Sequence, residues 1–124
     1  MAHLKLRHFT QDQVSETLLY NIKNFIEGHT QEAFRWDSAK NNYNVLICTV
    51  TDDIVAIGIA KDPGVLEYLC VDEKYQNQSV GLKMLDHFVK IYSSLRMMVT
   101  PDIHVHQDHF DFAYDDGDLI IKSK

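Results

Sequence analysis

Between His3 and Phe9, Leu4 and Leu6 alternate with Lys5 and Arg7, the period-two pattern of a short half-buried strand. Thr10 and Gln13 then read as a capping box, and Val14, Leu18, Ile22, Phe25 and Ile26 follow at helical spacing until Gly28, which predicts a first helix. A weaker helical stretch over residues 31–40 carries Phe34 and Trp36 and ends at Asn41-Asn42. Tyr43 to Thr51 and Ile54 to Lys61 are rich in Val, Ile and Thr and flank Asp52-Asp53, so they predict an antiparallel hairpin. Lys61-Asp62-Pro63-Gly64 reads as a second turn, and Val65 to Val71 as the third strand of the same meander. A polar loop, Asp72 to Ser79, follows it. From Val80, Met84, Leu85, Phe88, Ile91 and Tyr92 share one helical face, and Lys83, Asp86, His87 and Lys90 share the other. Leu95 to Val99 and Ile103 to His106 are short apolar stretches around Thr100-Pro101-Asp102, and one of them should be a further strand. Leu119 to Lys122 suits a terminal edge strand.

Composition narrows the class. The chain has 124 residues, which predicts one domain over residues 1–124, and no internal repeat divides it. Hydrophobic residues make up 45% and charged residues 24%, the mix of a soluble globular protein rather than a disordered one. A formal charge of -6 is the wrong sign for gripping phosphate backbones, so nucleic acid is not the expected partner. Charged and histidine residues interrupt the first ten positions, so no signal peptide is expected there, and no window approaches the ~20 apolar residues of a membrane span. Cys48 and Cys70 both lie in apolar runs, where thiols act as small buried hydrophobes, and a reduced, cytoplasmic setting is expected.

The distinctive unit is a strand ending at Val71, a polar loop, and a helix entered at Val80. A helix start carries unpaired amide hydrogens and a partial positive charge, so such a loop can hold phosphate oxygens without any arginine. The run Leu69-Cys70-Val71-Asp72-Glu73-Lys74-Tyr75-Gln76-Asn77-Gln78-Ser79-Val80-Gly81-Leu82-Lys83-Met84-Leu85 resembles the acyl-coenzyme A signature of the GNAT superfamily of N-acetyltransferases. There a strand of the type L-x-V precedes a Gln/Arg-x-x-Gly-x-Gly/Ala loop and a helix with Leu-Leu. The resemblance puts Gln76 at the first loop position, Ser79 where the pattern has its central glycine, and Gly81 at the last small residue. It implies acetyl-coenzyme A as cosubstrate. The strand, here Leu69, Cys70 and Val71, would pair with the pantetheine arm. The backbone of Gln76, Asn77, Gln78, Ser79, Val80, Gly81, Leu82 and Lys83 would hold the pyrophosphate. Serine at position 79 carries a side chain where close backbone approach is needed and resists positive φ, although its hydroxyl could cap the helix or donate to a phosphate. The order of predicted elements follows the same family from about Leu4 to His106.

Acetyl transfer to an amine needs a base for the amine and a proton for the departing thiolate. The resemblance points to a carboxylate on the strand before the loop, and Glu67 occupies that strand; the alternative is a solvent-facing glutamate. The usual acid is a tyrosine in a Tyr-x-x-x-Gly-Phe setting, of which Tyr114-Asp115-Asp116-Gly117 is an incomplete echo, and a tyrosine of core or surface is the commoner alternative. Tyr68 and Tyr75 read as packing residues, and nothing places a base beside Cys70 to make it a nucleophile. His104, His106, Asp108 and His109 match the H-x-H-x-D-H ligand run of metallo-β-lactamase-like hydrolases. That family needs a far longer domain, whereas fifteen residues follow His109, so no metal site is assigned.

The expectation is an α/β (α+β) GNAT-like fold, a mixed, mainly antiparallel sheet flanked by helices. Its expected activity is transfer of acetyl from acetyl-coenzyme A to a primary amine, of a small molecule or a protein. The five aspartates of Asp108 to Asp118, if they line the acceptor side, would attract a cationic amine; otherwise they form a solvated tail. A homodimer is open to such a domain. The alternative is a non-catalytic binding or interaction module on the same fold with a degenerate cofactor loop.

Overall fold

A computed structural model describes residues 3–98 and 108–124. Its strands are β1 (Leu4–Thr10), β2 (Tyr43–Val50), β3 (Asp53–Lys61), β4 (Val65–Val71), β5 (Ser94–Met98), β6 (Phe110–Asp115) and β7 (Asp118–Ser123). Its helices are α1 (Glu16–His29) and α2 (Val80–Tyr92). The strands form one seven-stranded sheet in the order β1-β2-β3-β4-β5-β7-β6, antiparallel throughout except for the parallel contact of β4 with β5. The mixed, mainly antiparallel sheet flanked by helices is therefore as expected.

The alternation along the strands divides the core between two faces. Tyr43, Val45, Ile47, Ile57 and Ile59 pack with Ile22 and Ile26 of α1. Leu46, Cys48, Val50, Ala56 and Ala60 pack with Val80, Met84, Leu85, Phe88 and Val89 of α2, joined by Leu95, Leu119 and Ile121 from the far strands. Gly58 of β3 allows α2 its close seat, since a Cβ there would stand 2.9 Å from Phe88 Cε2 and 3.1 Å from Met84 Cε.

Several boundaries differ from the sequence reading. Gln13 Oε1 does accept from Thr10 N, at 3.0 Å, but this caps only a short 3-10 turn, Gln11–Gln13. The cap of α1 is Ser15, whose hydroxyl oxygen accepts from Leu18 N at 3.1 Å, and the helix passes Gly28 to end at His29. The β2–β3 turn centres on Thr51 and Asp52, both at positive φ, one residue earlier than the Asp52-Asp53 pair. Residues 31–40 form no helix. Tyrosine hydroxyls from the sheet satisfy their backbone instead: Tyr68 Oη accepts from Arg35 N (2.9 Å), and Tyr43 Oη accepts from Asp37 N (3.2 Å). Phe34 and Trp36 then rest on the α1 side of the core.

At the C-terminal end the chain forms a hairpin. Leu119 and Ile121 are fully buried because β7 lies between β5 and β6, so β6, not the expected Leu119–Lys122 segment, takes the edge. Of the two expected late strands, Leu95 to Val99 corresponds to β5, and Ile103 to His106 lies outside the described residues.

Candidate active site

The site grows from β4. On one side this strand runs antiparallel to β3, with Ala60 opposite Leu66 and then Ile59 opposite Tyr68, so that Glu67 is the extra residue of a β-bulge. On its other side the ladder with β5 consists of a single pair, Val65 with Arg96. Past that pair, and among the described residues, the second edge of β4 has no partner strand up to Val71. Alternate residues of β4 therefore present N–H and C=O groups that a ligand lying along the strand would satisfy. Leu69 and Val71 turn their side chains into the α2 side of the core, and Cys70 is buried. Burial, reinforced by the nearby Asp72 carboxylate, pushes the Cys70 thiol up from 9.0, which keeps it a neutral packing group.

Asp72 turns the chain out of the sheet. Its backbone N–H donates to Val55 O (2.8 Å), and its carboxylate accepts from Lys74 N (3.0 Å) and meets His29 Nε2 at 3.3 Å. The Lys74 amide, aided by His29, holds the Asp72 carboxyl below its usual value of 3.8. A 3-10 turn, Glu73–Gln78, follows, and Gln76 Nε2 reaches back to Val71 O at 3.3 Å. Ser79 then adopts φ 60° and ψ 23°, the left-handed conformation that glycine takes freely. Serine therefore keeps the geometry at the position where the motif has glycine.

The start of α2 is open. The first backbone bond of its opening turn is Lys83 N to Ser79 O (3.1 Å), Ser79 makes no side-chain cap, and no acidic residue stands in the first turn. The amides of Val80, Gly81 and Leu82 precede that bond and carry the positive end of the helix dipole. A Cβ added at Gly81 would meet, among the described residues, only Leu69 Cδ2, at 4.0 Å, so nothing described crowds that glycine. Open amides, a bare glycine and the exposed Lys83 form a chemistry that suits a pyrophosphate.

The expected site residues are not all brought together. Leu69 to Lys83 form one continuous strand, turn and helix start. Glu67 sits at the bulge two residues from the Val65–Arg96 pair, and its carboxylate is 2.5 Å from Lys61 Nζ, with both side chains about a third exposed. The same carboxylate raises the Lys61 pKa above 10.5. Tyr114 lies on β6, 60% exposed, with β7 and β5 between it and β4. Two of the five aspartates, Asp115 and Asp118, bind Arg96 at 2.6 and 3.1 Å. His104 and His106 lie outside the described residues, among which no group of three His, Cys, Asp or Glu side chains could hold a metal.

His29 lies one residue past Gly28, where helical spacing predicts the helix to end, so its role has no local signal in the sequence. Its ring stacks on Phe25 at 4.1 Å, its Nδ1 is 2.8 Å from Phe25 O, and its Nε2 meets Asp72. It thereby ties the end of α1 to the residue that begins the loop.

Residues 5–110 match the family model described as an acetyltransferase (GNAT) domain. The chain belongs to the GNAT acetyltransferase family. Solved structures of similar fold include the ribosomal-protein-S18-alanine N-acetyltransferase of Escherichia coli, with TM-score 0.61 and 20% identity, over 96% of this chain and 91% of that one. ElaA of Escherichia coli aligns with TM-score 0.65 and 12% identity, over 98% and 99% of the two chains. The GCN5-related N-acetyltransferase of Rhodopseudomonas palustris aligns with TM-score 0.57 and 15% identity, over 100% and 98%. No curated protein sequence matches. Among the described residues of this GNAT chain no helix is long and apolar enough to cross a membrane.

Proposed function

We propose that this GNAT protein transfers acetyl from acetyl-coenzyme A to a primary amine. The observation that carries the reading is the parting of β4 from β5 after one pair, followed by a helix start that the Ser79 side chain does not cap and whose first turn holds no acidic residue. Leu69, Cys70 and Val71 would hold the pantetheine arm through their backbone. Gln76, Asn77, Gln78, Ser79, Val80, Gly81, Leu82 and Lys83 form the segment that would receive the pyrophosphate. That the net charge is -6 does not oppose this, because the contact is local and made by backbone dipoles.

Glu67 is the proposed base. It already accommodates one primary ammonium, that of Lys61, at the bulge beside the vertex where β4 and β5 part. With an acceptor amine in that place, the nitrogen attacks the thioester carbonyl carbon and gives its proton to Glu67. The C–S bond then breaks and the sulfur leaves with the bonding pair; solvent water protonates it while protonated Glu67 returns its proton to solvent, since β5 and β7 stand between Tyr114 and β4.

The test is release of free coenzyme A thiol from acetyl-coenzyme A in the presence of a panel of primary amines, read with a thiol reagent. Amine-dependent release is the expected result. Gly81→Glu should abolish it while leaving the fold intact, because a Cβ at that position meets nothing described closer than Leu69 Cδ2 at 4.0 Å. Release that persists unchanged in Gly81→Glu would show that the cofactor binds elsewhere.

A further inference from the structure

The two outer strands of the sheet are complementary. β1 carries Lys5 and Arg7 and no acid, and β6 carries Asp111 and Asp115 and no Lys or Arg. The register fixes which face each occupies. Leu6 is opposite Cys48, and Phe112 is opposite Ile121, so Leu4 and Leu6 share the α2 face of the sheet with Phe110, Phe112 and Tyr114. Lys5 and Arg7 therefore share the other face with Asp111 and Asp115. Among the described residues both strands have a free edge, and each edge exposes an apolar side chain, Leu6 at 37% and Tyr114 at 60%. A groove of about 320 Å³ lies at β6, lined by Phe110, Asp111, Phe112, Tyr114 and Lys124.

We propose that these edges pair between copies of the chain, β1 of one molecule adding antiparallel to β6 of the next. Strand directions permit this without inverting the sheet. Following the ladders across the order β1-β2-β3-β4-β5-β7-β6, β6 runs opposite to β1, so a second copy in the same orientation meets it antiparallel. Setting Leu6 opposite Phe112 sets Arg7 opposite Asp111 and Leu4 opposite Tyr114. Apolar then faces apolar on one side of the joint, and on the other Arg7 meets Asp111 while Lys5 faces Ala113, so both kinds of stabilising cross-strand pair are present. Like-with-like pairing lacks this match: β6 against β6 opposes aspartates, and β1 against β1 opposes Lys5 and Arg7. The contact is heterologous, so it extends or closes into a ring rather than stopping at two.

Sedimentation of the whole chain tests the proposal by charge exchange. The mass of the wild type, 14.4 kDa as a monomer, should rise with protein concentration at low salt and fall back at about 0.5 M salt, where the Debye length is only a few ångströms. Arg7→Glu and Asp111→Lys should each weaken association at least tenfold. Mixing the two variants, or combining both changes in one chain, should restore it. Circular dichroism of both variants confirms that they fold. A wild type that stays monomeric up to ~1 mM overturns the proposal. So does an Arg7→Glu variant that associates as well as the wild type, which is the outcome for pairing of β6 with β6. Association strengthened by either single change also overturns it, since the charges would then be guarding the edges rather than joining them.

Discussion

Val65 and Arg96 form the one pair of the ladder between β4 and β5, and the Arg96 backbone N–H also donates to Gly64 O at 2.7 Å. This corner holds the two parallel strands together at one end. Arg96 is fixed in turn by its side chain, which binds Asp115 and Asp118 of the β6–β7 hairpin. The cleft proposed for the cofactor exists because the strands are fastened here and nowhere further along their described length.

Gly64 makes the corner possible. Its φ is 126°, and an added Cβ would lie 2.7 Å from Ser94 O and 3.0 Å from Tyr92 Cβ. Gly64→Ala should therefore destabilise the protein by about 3 kcal/mol, combining overpacking against backbone with an unfavourable φ. Denaturant unfolding measures this, and a loss below about 0.5 kcal/mol would contradict the close approach.

Ser79→Gly should act in the opposite sense. The serine holds φ 60° without a compensating capping bond, so glycine relieves roughly 1 kcal/mol of backbone strain, less the entropy that glycine adds to the unfolded chain. The net expectation is a gain of about 0.5 kcal/mol in denaturant unfolding, with acetyl-coenzyme A bound at least as tightly. Loss of stability would mean that the serine side chain contributes something beyond the backbone geometry.

The meander β2–β4 and the helix α2 were legible in the sequence because each depends on local periodicity: alternating Val and Ile for the strands, and Met84, Leu85 and Phe88 on one helical face. The loop Asp72 to Ser79 and its approach to α2 were legible for the same reason. What could not be read there depends on partners distant in sequence. Residues 31–40 have helical spacing but give their amides to Tyr68 and Tyr43. The hairpin inserts β7 beside β5 because Leu119 and Ile121 complete the α2 side of the core. The Glu67–Lys61 ion pair follows from β3 and β4 running side by side past a bulge, and His29 meets Asp72 across a separation of 43 residues.

The Asp72 contacts should show in pH dependence. Its folded pKa lies below the ordinary 3.8, so its contribution is fully present above the unfolded value and is lost as pH falls through the folded one. Asp72→Ala should be less stable than the wild type at neutral pH, and the difference should close as both are acidified below about pH 4. Paired unfolding curves across pH check this, and a difference independent of pH would contradict an ionic role for Asp72.

Glu67 and Tyr114 separate under substitution. Glu67→Gln should lower amine-dependent turnover by about 100-fold or more, the scale of a lost general base, while acetyl-coenzyme A binding is retained. Tyr114→Phe should change turnover less than about twofold, because β5 and β7 separate Tyr114 from β4. Steady-state kinetics of the two variants decides between them, and a large loss in Tyr114→Phe would bring β6 into the chemistry.

Acetyl-coenzyme A is proposed to bind along the free edge of β4 and at the start of α2. Thermal unfolding with and without the cofactor tests it most directly, because a ligand that binds only the folded chain raises its stability by a calculable amount. At a concentration ~100-fold above Kd the gain is about 2.7 kcal/mol, which for a chain of this size raises Tm by roughly 10 °C. A saturable rise of that order is expected for the wild type and none for Gly81→Glu. No rise for the wild type at millimolar acetyl-coenzyme A would contradict it.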